Sequence, residues 1–256
     1  MVGCMRLFPH DNLQLDPALL EDLDQKIQEI YRTIIFNRDH TADRLLEIFM
    51  NQSNSLTDLL SIKNAQMEAQ SEEEAESYLE TLKQSVDFIL SQIRNHKNFN
   101  GMVDFFHLFR IISPESHSKH PNRFRHTLVQ VGSYVCPEPH TIGGLVEALF
   151  HTLPLIKHPA IRAIYFHHEA IRIHPFIDAN GRTVRIAKNW MLMHGLYPPI
   201  FIRDDVEKQL YISTLSGSFT ALQNDPTNWN GNLEAFFIQE LGRLNDSANQ
   251  ILDQFR

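Results

Sequence analysis

The sequence predicts an all-α fold carrying one small β-hairpin. Apolar residues recur at three- and four-residue steps along most of the chain, only 10 glycines among 256 residues are available for turns, and a single short stretch alternates instead. The first helix is expected from Asp16 to Phe36, where Leu19, Leu20, Leu23, Ile27, Ile30 and Ile34 keep helical spacing behind an Asp16 cap and a first-turn Pro17. Further helices are expected over Thr41–Asn51 and Ser55–Ala69. Ser71 to Glu74 form a capping box that opens a long helix to about Arg94, its first-turn carboxylates favoured by the helix dipole.

Met102 to Ile112 reads as a helix stopped by Pro114, and Ser113 to Arg125 as polar loop. The run from His126 to Val135, with Leu128, Val131 and Tyr134 beside Gly132, is the alternating stretch and predicts the hairpin. Helices then follow over Ile142–Leu153, Ala160–Ile173, Asn180–His194, Asp204–Gln223 and Leu233–Phe255. Pro175 bounds the second of these and Gly195 the third. We expect an N-terminal helical region, residues 1–100, packed on a core of residues 101–256.

Acids outnumber bases, 31 to 23, for a net charge of -8. This balance argues against nucleic acid or an anionic membrane surface as a partner. Hydrophobic content of 43% with 21% charged residues is that of a globular chain. No apolar run approaches membrane-spanning length, and the start, MVGCMRLFPHDN, lacks the pattern of a secretory signal, so a cytoplasmic location is expected. Cys4 and Cys136 suit two free thiols in a reducing compartment.

The chemistry concentrates in His174-Pro175-Phe176-Ile177-Asp178-Ala179-Asn180-Gly181-Arg182-Thr183-Val184-Arg185. Pro175 ends one helix, and Asp178, Asn180 and Gly181 open the next, so free backbone N–H groups stand at a helix N-terminus, a ready anion site. Arg182 and Arg185 share one face of the first turns, where their charges oppose the helix dipole unless an anion offsets it. Asp178 adds a hard oxygen of the kind that holds Mg2+ together with substrate phosphates. His174 has an ordinary pKa near ~6.5 and can accept a hydroxyl proton at neutral pH. Singly these residues read as a structural histidine, helix caps and surface charges; together they place base, metal ligand and anion hole in one loop. Competing signatures fail: Arg172 stands where a zinc protease beginning His168-Glu169 needs its second histidine, and no Gly-Lys pair offers a phosphate loop. His167 and His168 are expected to be core residues.

The stretch resembles the signature of the Fic family, His-Pro-Phe-x-Asp/Glu-Gly-Asn-Gly-Arg-x-x-Arg, matched at His174, Pro175, Phe176, Asp178, Asn180, Gly181, Arg182 and Arg185. Asn122-Arg123-Phe124-Arg125 and Cys136-Pro137-Glu138-Pro139 are similar to the segments that flank the family's flap, and the likeness extends from about Met102 to Gly217. The resemblance implies a Fic-fold helical core and an adenylyltransferase using Mg2+ and ATP to place AMP on a Ser, Thr or Tyr hydroxyl of a target protein. His174 would be the base, Asp178 the magnesium ligand, and Ala179, Asn180, Gly181 and Arg182 the phosphate cradle, with Arg185 reaching the γ-phosphate and Phe176 anchoring the loop. Leu128, Val129, Gln130 and Val131 would form the flap that aligns the target by strand addition.

Two departures bear on this. Ala179 stands where the family most often has glycine, which a positive φ would favour; a phosphocholine-transferring branch shares Asp-Ala-Asn-Gly-Arg, so another phosphodiester donor stays open beside AMP, as does a silent binding module. Second, no glutamate precedes Gly or Asn, so the family's inhibitory Ser/Thr-x-x-x-Glu-Gly/Asn helix is expected to be absent or remade, its nearest likeness being Ser53 to Asp58 with Thr57 in the glutamate's place. A separate inhibitory chain would fit such an absence, and the long N-terminal helices equally suit a homodimer.

Overall fold

The apolar spacing is realised as a helical bundle in the computed structural model, which describes residues 5–36 and 53–253. In chain order the helices are α1 (Pro17–Phe36), α2 (Ser53–Glu68), α3 (Glu72–Arg94), α4 (Met102–Ile112), α5 (Pro114–Lys119), α6 (Ile142–Thr152), α7 (Pro159–Ile173), α8 (Asn180–His194), α9 (Asp205–Asn224) and α10 (Gly231–Asp253). The helix expected over Thr41–Asn51 lies outside the described residues, as do Cys4 and the last residues of the expected C-terminal helix. No helix among the described residues is long and apolar enough to cross a membrane.

Helices α7 and α8 form the centre, packed on each other and buried almost all round. Helices α3 and α4 cover α8, α6 covers α7, and α10 joins α7 from the other side while pairing with α9 and α1. Helix α2 pairs with α3 and reaches α8. The aromatic centre includes Trp190, 1% exposed, edge-on to Phe88 and Phe99, with the indole N–H donating to the Lys97 carbonyl at 2.9 Å. The capping box is formed as expected: Ser71 Oγ accepts from the Glu74 N–H at 3.2 Å.

The polar stretch Ser113–Arg125 departs from the expected loop. Pro114 sits at the first position of α5, where its missing N–H costs nothing, so the proline that ends α4 also starts the next helix. The hairpin is present but short: β1 (Gln130–Val131) pairs antiparallel with β2 (Tyr134–Val135), Gln130 opposite Val135 and Val131 opposite Tyr134, turning at Gly132 with φ 60°. Tyr134 is buried against Phe219, which seats the hairpin on α9. Cys136, just beyond it, is buried, and desolvation pushes its thiol up to about 11.

Candidate active site

The loop between α7 and α8 is held by its own backbone and by the core. His174 ends α7 in the left-handed region, φ 51° and ψ 60°, and Ala179 opens α8 in the same region, φ 56° and ψ 21°. The glycine-like position is therefore left-handed, and alanine adopts the backbone a glycine would take there. Phe176 is fully buried, stacked on Phe109 at 4.2 Å and edge-on to Phe105, so the anchoring role expected of it is realised.

Asn180 closes the loop on itself. Its Oδ1 accepts from the Phe176 N–H at 2.8 Å and its Nδ2 donates to the Phe176 carbonyl at 2.9 Å. The side chain staples the loop closed, with a second Nδ2 hydrogen left over.

Arg125, in the segment preceding the hairpin, holds the loop from outside. Its guanidinium donates to the carbonyls of His174, Thr127 and Pro137 at 2.7 Å each and of Ile173 at 3.3 Å, and its N–H donates to the Pro175 carbonyl at 2.8 Å. Two of these are carbonyls that the end of α7 leaves unpaired. One buried cation thus ties α7, the loop and both ends of the flap together. Sequence reading placed Arg125 in a familiar segment and gave it no role.

His174 is partly buried and its Nδ1 is enclosed without a hydrogen-bond partner. Desolvation, with the Arg125 charge second, lowers its pKa to about 4, against the opposing pull of the Ile171 carbonyl, Glu68 and Asp178. The imidazole is therefore neutral at pH 7 and can accept a proton. The Asp178 side chain is 54% exposed, accepts from Ser113 Oγ at 3.2 Å and lies 3.5 Å from Arg182 Nη2. No cluster of three or more carboxylate, histidine or cysteine ligands occurs among the described residues. An accessible lone carboxylate beside the anion site suits Mg2+ arriving with phosphate oxygens.

The anion cradle is already engaged by a carboxylate from α2. Glu68 accepts from Arg182 Nε at 3.1 Å and from Arg185 Nη2 at 3.2 Å. Asn64, one turn earlier on the same helix, accepts from Arg185 Nε through its Oδ1 at 2.8 Å. A Cβ on Gly181 would stand 1.8 Å from Glu68 Oε1, so only glycine admits the carboxylate to the N-terminus of α8. Tyr78 of α3 adds a further hold, its ring 3.7 Å below the Arg182 guanidinium and its hydroxyl donating to Glu74 at 2.6 Å. Thr57, the sequence candidate for this place, instead reaches Asp87 at 3.4 Å. Glu68, Asn64 and Tyr78 were missed by sequence reading. The signal was Asn64-x-x-x-Glu68-Ala69, with Asn for Ser/Thr and Ala for Gly/Asn.

The flap residues fall on the outside of the core. The Cys136 N–H donates to the Val129 carbonyl at 3.0 Å, so Val129 and Val131 turn their backbone groups toward β2, while those of Leu128 and Gln130 face outward. Leu128 is 62% exposed.

The loop and the first turns of α8 thus bring together a neutral imidazole, an accessible carboxylate and two arginines on a helical core. Residues 98–192 match the model of the Fic/DOC family. It is 27% identical over 206 residues to a protein adenylyltransferase Fic of Nematostella vectensis, an alignment spanning 74% of this chain and 48% of that protein. Against the protein adenylyltransferase Fic of Drosophila grimshawi it is 39% identical over 92 residues, 34% of this chain and 19% of that protein. The chain thus spans half or less of the length of these relatives. The structure of Fic-1 from C. elegans superposes with a TM-score of 0.67 at 17% identity, over 93% of this chain and 72% of that one, which shows a shared fold.

Proposed function

We propose that this chain is a protein adenylyltransferase, moving AMP from ATP to a hydroxyl of a target protein. The observation that carries the reading is the Glu68 carboxylate seated against Gly181 between Arg182 and Arg185, because it marks a built anion site beside a neutral histidine. The relatives named adenylyltransferases support the same chemistry.

In this reading the target hydroxyl gives its proton to His174 as its oxygen bonds to the α-phosphorus, and the bond from that phosphorus to the pyrophosphate oxygen breaks. Arg182 and Arg185, with the N–H groups at the start of α8, bear the phosphate charge. Asp178 would hold Mg2+, which when bound neutralises charge on the phosphates. The outward edge of β1 at Leu128 and Gln130 receives the target as an added strand, so recognition rests on main-chain bonds. Ala179 keeps the left-handed backbone that a glycine would take, which supports a cradle of the family's shape.

Glu68 acts as a restraint built into the same chain. It occupies the charge that phosphate needs, so productive ATP binding requires α2 to withdraw it. No separate inhibitory chain is then required. The test is incubation of the Glu68→Gly chain with Mg2+ and α-labelled or γ-labelled ATP, beside its His174→Ala counterpart. Label on protein from the α position only, lost without His174, supports the reading. Equal label from both positions, or label that survives His174→Ala, sinks it.

A further inference from the structure

Next to Arg185 lies a buried polar chain that the proposed chemistry does not use. Glu240 of α10, 1% exposed, accepts from Lys188 at 2.6 Å and from Arg243 at 2.7 Å, and lies 3.3 Å from His167 Nδ1. The other ring nitrogen of His167 lies 3.0 Å from the Tyr211 hydroxyl of α9, and the two rings stack within 16°. Tyr211, His167, Glu240, Lys188 and Asn64 line one enclosed cavity of about 10 Å³ together with Arg185. Arg185 and Tyr211 face the same small cavity, close enough for the guanidinium charge to act on the phenol.

The direction of the bonds follows from the end of the chain. Two buried cations keep Glu240 ionised, so it can only accept, and His167 Nδ1 must carry the proton. Burial keeps the His167 ring neutral. Its Nε2 is then an acceptor, which takes the Tyr211 hydroxyl proton and leaves the phenol oxygen's lone pairs for the guanidinium.

We propose that Tyr211 is a positioning residue for Arg185, its hydroxyl oriented by His167 and Glu240 so that it offers the guanidinium an acceptor independent of helix α2. The hold matters when α2 withdraws. Asn64 and Glu68, the two side chains that grip Arg185, leave together because one helix carries both, and an arginine without an anchor would lose the geometry that outer phosphates require. His167 is thereby a relay and not only packing.

The test uses the full chain with Glu68→Gly, compared with and without Tyr211→Phe, a change that removes only the hydroxyl. Nitrogen NMR on the unliganded protein reads the His167 tautomer, assigned by its loss in His167→Gln, and the Nε–H signal of Arg185. We expect the Nδ1–H tautomer, and in Tyr211→Phe a shift or broadening of the Arg185 signal that exceeds any change at Arg182. An Nε2–H tautomer or an unmoved Arg185 signal overturns the proposal. A second arm, resting on the proposed function, measures nucleotide affinity: Tyr211→Phe should weaken ATP about tenfold and change AMP less than about twofold. Equal weakening of both would overturn positioning at the outer phosphates. Failure of the Tyr211-intact chain to bind ATP would count against the adenylyl reading, while the NMR arm still decides the relay.

Discussion

The Glu68 carboxylate occupies the space that any side chain at position 181 would need, with Oε1 1.8 Å from where a Cβ on Gly181 would lie. Glycine at that position is usually argued from phosphate binding; here the same bare backbone admits a carboxylate from a helix more than a hundred residues earlier. In the proposed function, catalysis and restraint would draw on one cradle, and anything that improves the site for phosphate would also improve it for Glu68.

Replacing Glu68 should move activity and stability in opposite directions. Glu68→Gly frees both arginines for phosphate and is expected to raise α-labelling at least about tenfold, a difference of about 1.4 kcal/mol. It also leaves two buried guanidinium groups short of a partner, which should cost about 1–3 kcal/mol of folding stability. Glu68→Gln, which keeps the shape and loses the charge, should fall between. Thermal melts with and without Mg·ATP check this: the nucleotide should restore the midpoint of Glu68→Gly and move the parent chain little.

The histidine base should work at lower pH than an ordinary imidazole. With the His174 pKa lowered to about 4, the neutral form persists down the acid range, so kcat/KM for Glu68→Gly should hold level to about pH 5 and fall only below it. The sign for stability follows from the same shift. The unfolded chain takes up its histidine proton first, near pH ~6.5, while the folded chain does not until about pH 4, so stability contributed by the neutral ring is full above the unfolded value and drains as pH falls through that window. His167, lowered to about 3, and the buried His168 act in the same direction. An acid limb centred near pH 6.5 in the rate profile would contradict the burial of His174.

Ala179 carries a backbone cost that glycine would remove. A left-handed conformation costs an L-residue on the order of 1–2 kcal/mol, partly offset because glycine has more unfolded freedom to lose. Ala179→Gly should therefore stabilise the chain by about 0.5–1 kcal/mol without lowering activity, as read from denaturant midpoints beside the labelling assay.

Arg125→Lys should damage loop and flap together. A lysine ammonium cannot span carbonyls on both sides of the flap and at the end of α7, so several charge-assisted bonds are lost at once. A loss of about 2 kcal/mol or more and at least a tenfold fall in labelling are expected. Hydrogen exchange should show the segment from Thr127 to Pro137 opening with it.

What the sequence made legible was contiguous. The loop from His174 to Arg185 carries its base, carboxylate and arginines in one run, and its two flanking helices announce themselves by Pro175 and Asn180. The fold class followed from helical spacing, and the hairpin from the one alternating stretch. A misreading came where a residue has two uses: Pro114 stops one helix and starts another. Glu68 was illegible for a different reason. Its partners, Arg182 and Arg185, are distant in sequence, and recognition by pattern demanded a glycine or asparagine at position 69, whereas geometry asks only that Asn64 and Glu68 share a helix face.

The flap supplies the last expectation, and hydrogen-bond alternation defines it. Because Val129 faces β2, the N–H and carbonyl of Gln130 point to the open edge, where a target strand would pair. Proline is tolerated on an edge strand when its missing N–H faces outward. Gln130→Pro should leave the hairpin paired through Val129 and Val131 while deleting one donor to the target. In the Glu68→Gly background, nucleotide affinity should then stay within about twofold, and transfer to an added target protein should fall about tenfold, one lost main-chain bond in a desolvated contact being worth about 1–1.5 kcal/mol. Leu128→Asp, which alters an exposed side chain and keeps every backbone donor, should have a smaller effect if recognition rests on the main chain. Equal transfer by Gln130→Pro and its parent would mean that the target docks elsewhere than on this edge.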